Sequence, residues 1–415
     1  MTGHWLRAIV AALIVVLPGA SGARPFVPDS GTVVLERLPE KGDPSLAQLK
    51  RMRAALMANP RDLDRALPVA RRALDAARTL GDPRFLGQAQ AALVPWWKGD
   101  DVPPAALLLR ATLKQSQHDF EGALGDLDRL LAAHPTDAQA RLTRATVLGV
   151  VGRYADARRD CAQLAGHASP LAIAGCDATP ASLSGDADAA FDTLSRALAN
   201  PREDAGIREW ALTLAAEIAA RRRDWAAAER LFKDALALDP QDAYLKGAYA
   251  DYLLDRGRPR EIVPLLRDDT RNDALLLRLA LAEQRLPDQH AAFLTHRDDL
   301  AARFDAARRR GDSLHRREEA RFRLAIERDG KAALALARAN WEIQREPADL
   351  RILAESAQWT GDASAMKTAH DWIAAHGLEY ALPIAAHRLE YALPIADHRL
   401  EYAMPIAASA RRTPR

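Results

Sequence analysis

Gly152-Arg153-Tyr154-Ala155-Asp156-Ala157 and Ala235-Leu236-Ala237-Leu238-Asp239-Pro240 decide how this chain folds. In the first, a glycine turn leads to an aromatic residue and, three positions on, to an alanine. In the second, an alanine- and leucine-rich helical end runs into a proline, which lacks a backbone donor and stops a helix. Read outward from these phrases, small residues recur in pairs: Ala111/Ala123, Ala145/Ala157, Ala178/Ala190 and Ala216/Ala228. Each pair is separated by 12 residues, and successive pairs are offset by 34, 33 and 38. Three residues before the second alanine stand Phe120, Tyr154, Ala187 and Trp225, and Pro135 and Pro240 close two copies, with Pro170 and Pro201 displaced by one.

These residues resemble the tetratricopeptide repeat, a pair of antiparallel helices that cross at small side chains and end before a proline. The resemblance implies an all-α fold, a right-handed superhelical solenoid in which an alanine on each helix lets the backbones approach. Residues 104–269 carry the clear repeats. Beyond them the pattern loosens: 243–267 keeps Ala250 and Gly257 but has Pro259 at the aromatic position and Ile262 at the small one. Residues 312–347 keep Gly330, Ala335 and Pro347, yet Arg323 stands where a small residue belongs. Residues 46–103 read as an N-terminal helical cap and 270–375 as degenerate repeats, since three- and four-residue apolar steps persist there without the motif. Seven or eight helix pairs are expected in all.

Composition narrows the function. A chain of 415 residues with 48% hydrophobic and 27% charged residues builds either several domains or one repeat array, and the periodicity selects the array. Lys and Arg total 58 against 56 for Asp and Glu, a formal charge of +2, so nothing points to nucleic acid or to an anionic membrane surface. His4 and Arg7 precede an apolar run over 8–17, then Pro18 and Ala20-Ser21-Gly22-Ala23, which reads as a signal peptide cleaved after Ala23. The run is about half the roughly 20 residues that span a bilayer, so a periplasmic or secreted protein with no stable membrane insertion is expected. Residues 24–45 read as a linker or arm.

Residues 376–415 are of another kind. Three near-identical 11-residue copies begin at His376, His387 and His398, with Pro383, Pro394 and Pro405 recurring. Proline at that spacing opposes a continuous helix, so the segment reads as a mobile appendage or as a multivalent display of Leu-Glu-Tyr.

Few motifs carry chemistry. In repeat register Cys161 falls on the second helix of one pair and Cys176 on the first helix of the next, and such helices pack together; a disulfide is expected there. His315, Glu318 and Glu319 lack the second histidine of a zinc motif and read as a solvated helix face. Arg310-Gly311-Asp312 reads as a helix end and cap. Trp96-Trp97 reads as a seal between the N-terminal cap and the stack. Nothing calls for a cofactor or a metal: no phosphate loop, nucleophile elbow or paired zinc ligands occur.

The resemblance also places a binding face. In the family, ligands lie in the concave groove lined by the first helix of each pair. Carried over copy by copy, that face comprises Gln115, Ser116, Gln139, Thr146, Trp210, Glu217, Arg221, Tyr244, Asp251 and Asp255. It lacks the lysine and arginine cluster that clamps a C-terminal carboxylate, so another mode of recognising a protein or peptide is expected. The competing reading is an α/α-toroid enzyme acting on glycans with two carboxylates; its sugar subsites would be rich in aromatics, which here are 6% of the chain. An interaction module rather than an enzyme is the reading the sequence favours.

Overall fold

A computed structural model of the chain describes residues 44–99, 101–312 and 314–378, together with residue 30. The signal peptide, nearly all of the arm and the 11-residue repeats beyond residue 378 lie outside the described residues. The chain divides between Ala47 and Gln48 into two compact units, and the helical stack belongs to the second.

Among the described residues there are nineteen α-helices and no strand. After α1 (Pro44–Met57), nine antiparallel pairs follow, more than the seven or eight expected, because pairs without the motif still fold as pairs. The first helices are α2 (Leu63–Leu80), α4 (Pro104–Ser116), α6 (Ala138–Val150), α8 (Pro170–Ser182), α10 (Ala205–Arg221), α12 (Ala243–Asp255), α14 (Asp273–Glu283), α16 (Arg316–Ala325) and α18 (Pro347–Thr360). Their partners are α3 (Arg84–Leu93), α5 (Phe120–Ala133), α7 (Tyr154–Ala162), α9 (Ala187–Leu198), α11 (Trp225–Leu238), α13 (Pro259–Leu266), α15 (His290–Arg309), α17 (Gly330–Trp341) and α19 (Ala363–His376).

Local chemistry starts these helices. Asp119, Asp137, Asp224, Asp242, Asp329 and Asp362 each accept a backbone N–H from the third residue on. Each such cap contributes about 1 kcal/mol by satisfying an orphan donor. Pro104, Pro170, Pro259 and Pro347 stand at the first helical position, where a missing N–H costs nothing. Pro259 therefore opens α13 rather than disrupting it, and Ile262 one turn later is fully buried. Arg323 is likewise accommodated: it turns toward Glu319 on its own helix and Glu327 just beyond it, leaving Phe322 and Leu324 to the core.

Packing follows the alanine pairs. All eight of these alanines are buried, as are Phe120 and Tyr154. Between the two helices of a pair, buried Arg110 grips buried Asp126 through Nε and Nη2 at 2.7 and 2.5 Å, while Arg141 and Arg144 share Asp160. Cys161 and Cys176 form a disulfide with Cα atoms 5.5 Å apart, joining α7 to α8. Trp96 and Trp97 are half-buried against the N-terminal core, and their carbonyls accept hydrogen bonds from Arg110.

Successive turns of the superhelix touch. In most of these contacts a turn between the two helices of an early pair meets the connection leading into a first helix far along the chain. Arg78, near the end of α2, reaches Asp242 at 3.3 Å, and Gly81 abuts Asn272, which caps α14. His118 lies within the field of His315 and Arg317 at the start of α16. Val150 accepts a hydrogen bond from the backbone of Arg345 at 2.7 Å, just before α18. Gly185 lies against Gly377, just after α19. Each step of one pair on the first turn is matched by one on the second, so about six pairs complete a turn.

Candidate partner-binding face

The ten residues expected to form the groove sit on α4, α6, α10 and α12 or at their ends. Ser116, Gln139, Thr146, Tyr244 and Asp255 are exposed; Gln115, Trp210, Glu217, Arg221 and Asp251 are half-buried. The hydroxyls of Ser116 and Thr146 bond back to carbonyls four residues earlier, the ordinary habit of a helical hydroxyl. Trp210 lies over Gly175 of α8, so its ring packs one pair against the next. Arg221 donates to buried Ser182 at 2.8 Å.

Glu217, Tyr244, Asp251 and Asp255 form a polar wall rich in carboxylates. The Tyr244 hydroxyl donates to Glu217 Oε1 at 2.9 Å, and Tyr244 is nonetheless among the most exposed large hydrophobic residues described, at 59%. The carboxylate of Glu217 raises the Tyr244 pKa far above the phenol range, with desolvation adding to it. Desolvation also raises Glu217 itself, opposed by Arg221 and by the Tyr244 hydrogen bond. Burial disfavours the charge on Asp251, but Arg278 and Arg321, each at 2.6 Å, outweigh it and hold that carboxyl well below its ordinary range. Asp255 accepts both terminal nitrogens of Arg351 at 2.8 Å.

Sequence reasoning missed the arginines. Arg278, Arg317, Arg321 and Arg351 come from α14, α16 and α18, where the repeat pattern is degenerate and no groove position was assigned. The inner face is therefore not poor in guanidinium groups, as expected from the early repeats; each is matched by carboxylates, Arg317 by Glu346 at 2.8 Å and Asp349 at 3.4 Å. His315 stands at the N-cap position of α16 without a side-chain hydrogen bond to the helix, Glu319 is buried rather than solvated and pairs with Arg308 and Arg323, and Glu318 pairs with Arg317.

Paired helices crossing at alanines, stacked through first helices that line one face, define the architecture. The fold is a tetratricopeptide-like solenoid. No family model and no curated protein matches the sequence. Solved structures similar to it include a tetratricopeptide repeat protein from Parabacteroides merdae, at 12% identity over 71% of this chain and 99% of that one, with a TM-score of 0.36. The human IFIT1 dimer with m7Gppp-AAAA is similar at 14% identity over 84% and 85%, with a TM-score of 0.39. The tetratricopeptide domain of P58(IPK) follows at 13% identity over 77% and 94%, with a TM-score of 0.20. The assignment of the fold rests on the chain's own helix pairs and alanine crossings.

Proposed function

We propose that this tetratricopeptide-like solenoid is an exported interaction scaffold that holds a protein or peptide segment against its first-helix face. The observation that carries the reading is Tyr244. A large aromatic residue left 59% exposed on the inner helix of a pair adds little to the core, and tyrosine is, with tryptophan and arginine, among the residue types that anchor partners. Ser116, Gln139 and Thr146 extend the same face with hydroxyls and an amide, groups suited to an uncharged or zwitterionic backbone rather than to a polyanion.

The glycan-enzyme alternative needs two free carboxylates flanking one bond. Glu217 is desolvated in the manner of an acid, but Asp251 is engaged by two guanidinium groups and Asp255 by a third. That arrangement favours recognition over hydrolysis. Export is inferred from the N-terminal apolar run and accords with the disulfide, and the mature chain is expected to begin at Arg24.

The test is capture from an envelope or secretory extract by the parent protein and by the S116A/Q139A/T146A/Y244A variant. These four side chains lie outside the core, so the variant is expected to keep its helical content and to lose the partner. A partner retained at parent level by the folded variant refutes this face as the binding surface. Intact mass of the exported protein checks cleavage after Ala23.

A further inference from the structure

We infer that the contact between the first and second superhelical turns is a clasp, and that the inner face becomes available only when α17–α19 swing away from α6 and α7. The inference rests on the reading of the first-helix face as the binding surface and adds how access to it is controlled.

The seat of the clasp is the turn between α6 and α7. Val150 accepts the backbone N–H of Arg345 at 2.7 Å, and the Tyr154 hydroxyl donates to the Arg345 carbonyl at 3.2 Å. The ring of Trp372 stands edge-on to Tyr154 at 6.1 Å, with His376 at 5.0 Å. Gly152, at φ +80°, passes so close under Trp372 that a Cβ there would collide with the indole. Across the lumen the same C-terminal pairs place Arg351 on Asp255 and set Glu346 within the field of both Glu217 and Tyr244. The face that would receive a partner is thus faced by the chain's own α18.

Two features make this closure releasable. First, α17–α19 have their own core, built around Leu334, Trp341, Leu350, Leu353 and Ala369, separate from the cores of the earlier pairs. Only Ile343 of this segment joins the apolar cluster beneath Val150 and Val151. Separation therefore exposes Ile343 and the ring contact of Trp372 with Tyr154 and Gly152, and the remaining ties are polar groups that water can replace. Second, the two cores meet at one helix: Phe322 and Ala325 of α16, with Ile326 just beyond it, belong to the large central core, whereas Ala320 and Leu324 belong to the C-terminal one. A turn of the closing pairs about α16 leaves the interior of each core in place and strains only the packing at that shared helix.

The experiment uses Gly152→Asn in the full chain. Asparagine tolerates positive φ, so the α6–α7 turn survives while its side chain drives Trp372 out. Gly257→Asn is the control, because Gly257 holds the corresponding turn between α12 and α13 at φ +65° with open space around it. Each is combined with Tyr244→Cys, the native cysteines being paired with each other. Labelling is timed with N-ethylmaleimide and with a maleimide carrying a long polymer. Opening should raise the polymer-reagent rate roughly ten- to hundredfold in the wedge variant, as overpacking shifts such an equilibrium, and enlarge the radius of gyration. N-ethylmaleimide should label all variants alike.

Equal polymer-reagent rates in the Gly152→Asn and Gly257→Asn proteins overturn the clasp, as does a Tyr244→Cys parent that both reagents label equally fast. Should Gly152→Asn fail to fold, Asp255→Arg sets like charges against each other and should open the seam, with Arg351→Glu added in the same chain closing it again; no rise with Asp255→Arg overturns the inference. No partner enters these measurements, so a seam that opens beside a four-site variant that keeps its partner refutes the binding face alone.

Discussion

Asp255, at the end of α12, binds both terminal guanidinium nitrogens of Arg351 on α18 at 2.8 Å, although 96 residues separate them. The pair is half-wet, with the two side chains 36% and 23% exposed. Half-exposed pairs contribute about 0–1 kcal/mol. Replacing Asp255 by alanine should therefore leave global stability in denaturant within about 1 kcal/mol of the parent, and a loss of several kcal/mol would show that the contact belongs to the folding core.

The disulfide should behave in the opposite way. It closes a separation of 15 residues between α7 and α8, for which the loop-entropy relation gives about 3 kcal/mol. The C161A/C176A protein should lose roughly that much in urea unfolding, and the parent should fall to the same level under strong reductant. An unchanged midpoint on reduction would mean that neighbouring contacts alone order these two pairs.

Glycines on helices separate into two kinds. A Cβ at Gly175 would lie 2.5 Å from the Trp210 ring, whereas one at Gly125 of α5 meets nothing within 4 Å. Gly175→Ala should destabilise by about 1–3 kcal/mol through overpacking. Gly125→Ala should stabilise by about 0.5–1 kcal/mol through reduced backbone entropy. Thermal melts of both proteins against the parent check the opposite signs.

Asp349, fully buried at the start of α18, gives a pH signature. Burial pushes its carboxyl up to about 7 despite Arg317 nearby, with Glu346 adding to the rise. The folded chain thus holds a proton that the unfolded chain, at the ordinary 3.8, has already released. Stability from this group is present in full below about 4 and declines as pH rises toward 7, since the native state binds more protons in that interval. In Asp349→Asn that downward component should be missing from the stability profile measured between pH 4 and 8; a profile identical to the parent would assign the slope to other groups.

Much of this architecture was legible because its determinants are local. The alanine pairs from Ala111 to Ala228 are spaced by the helix-pair period and are buried where the helices cross. Cys161 and Cys176 followed from the same register. The capping aspartates are equally local, each bonding a backbone N–H three residues on. Contacts such as Arg78 with Asp242 and Tyr154 with Arg345 were not legible. They depend on the small rotation accumulated over about six pairs, and no short stretch of sequence encodes that sum. For the same reason Glu217 and Asp251 were placed on the correct helices while their neighbours Arg278, Arg321 and Glu346 went unassigned.

Among the described residues no covalent cross-link joins the two turns of this superhelix, since the disulfide ties neighbouring pairs. A loop sealed covalently admits a strand solely by threading a free end, whereas one with a breakable edge can take in a chain sideways. A clasp that opens at the α6–α7 seat would therefore admit segments in the middle of a polypeptide, flanked by folded domains on both sides, as well as loose termini.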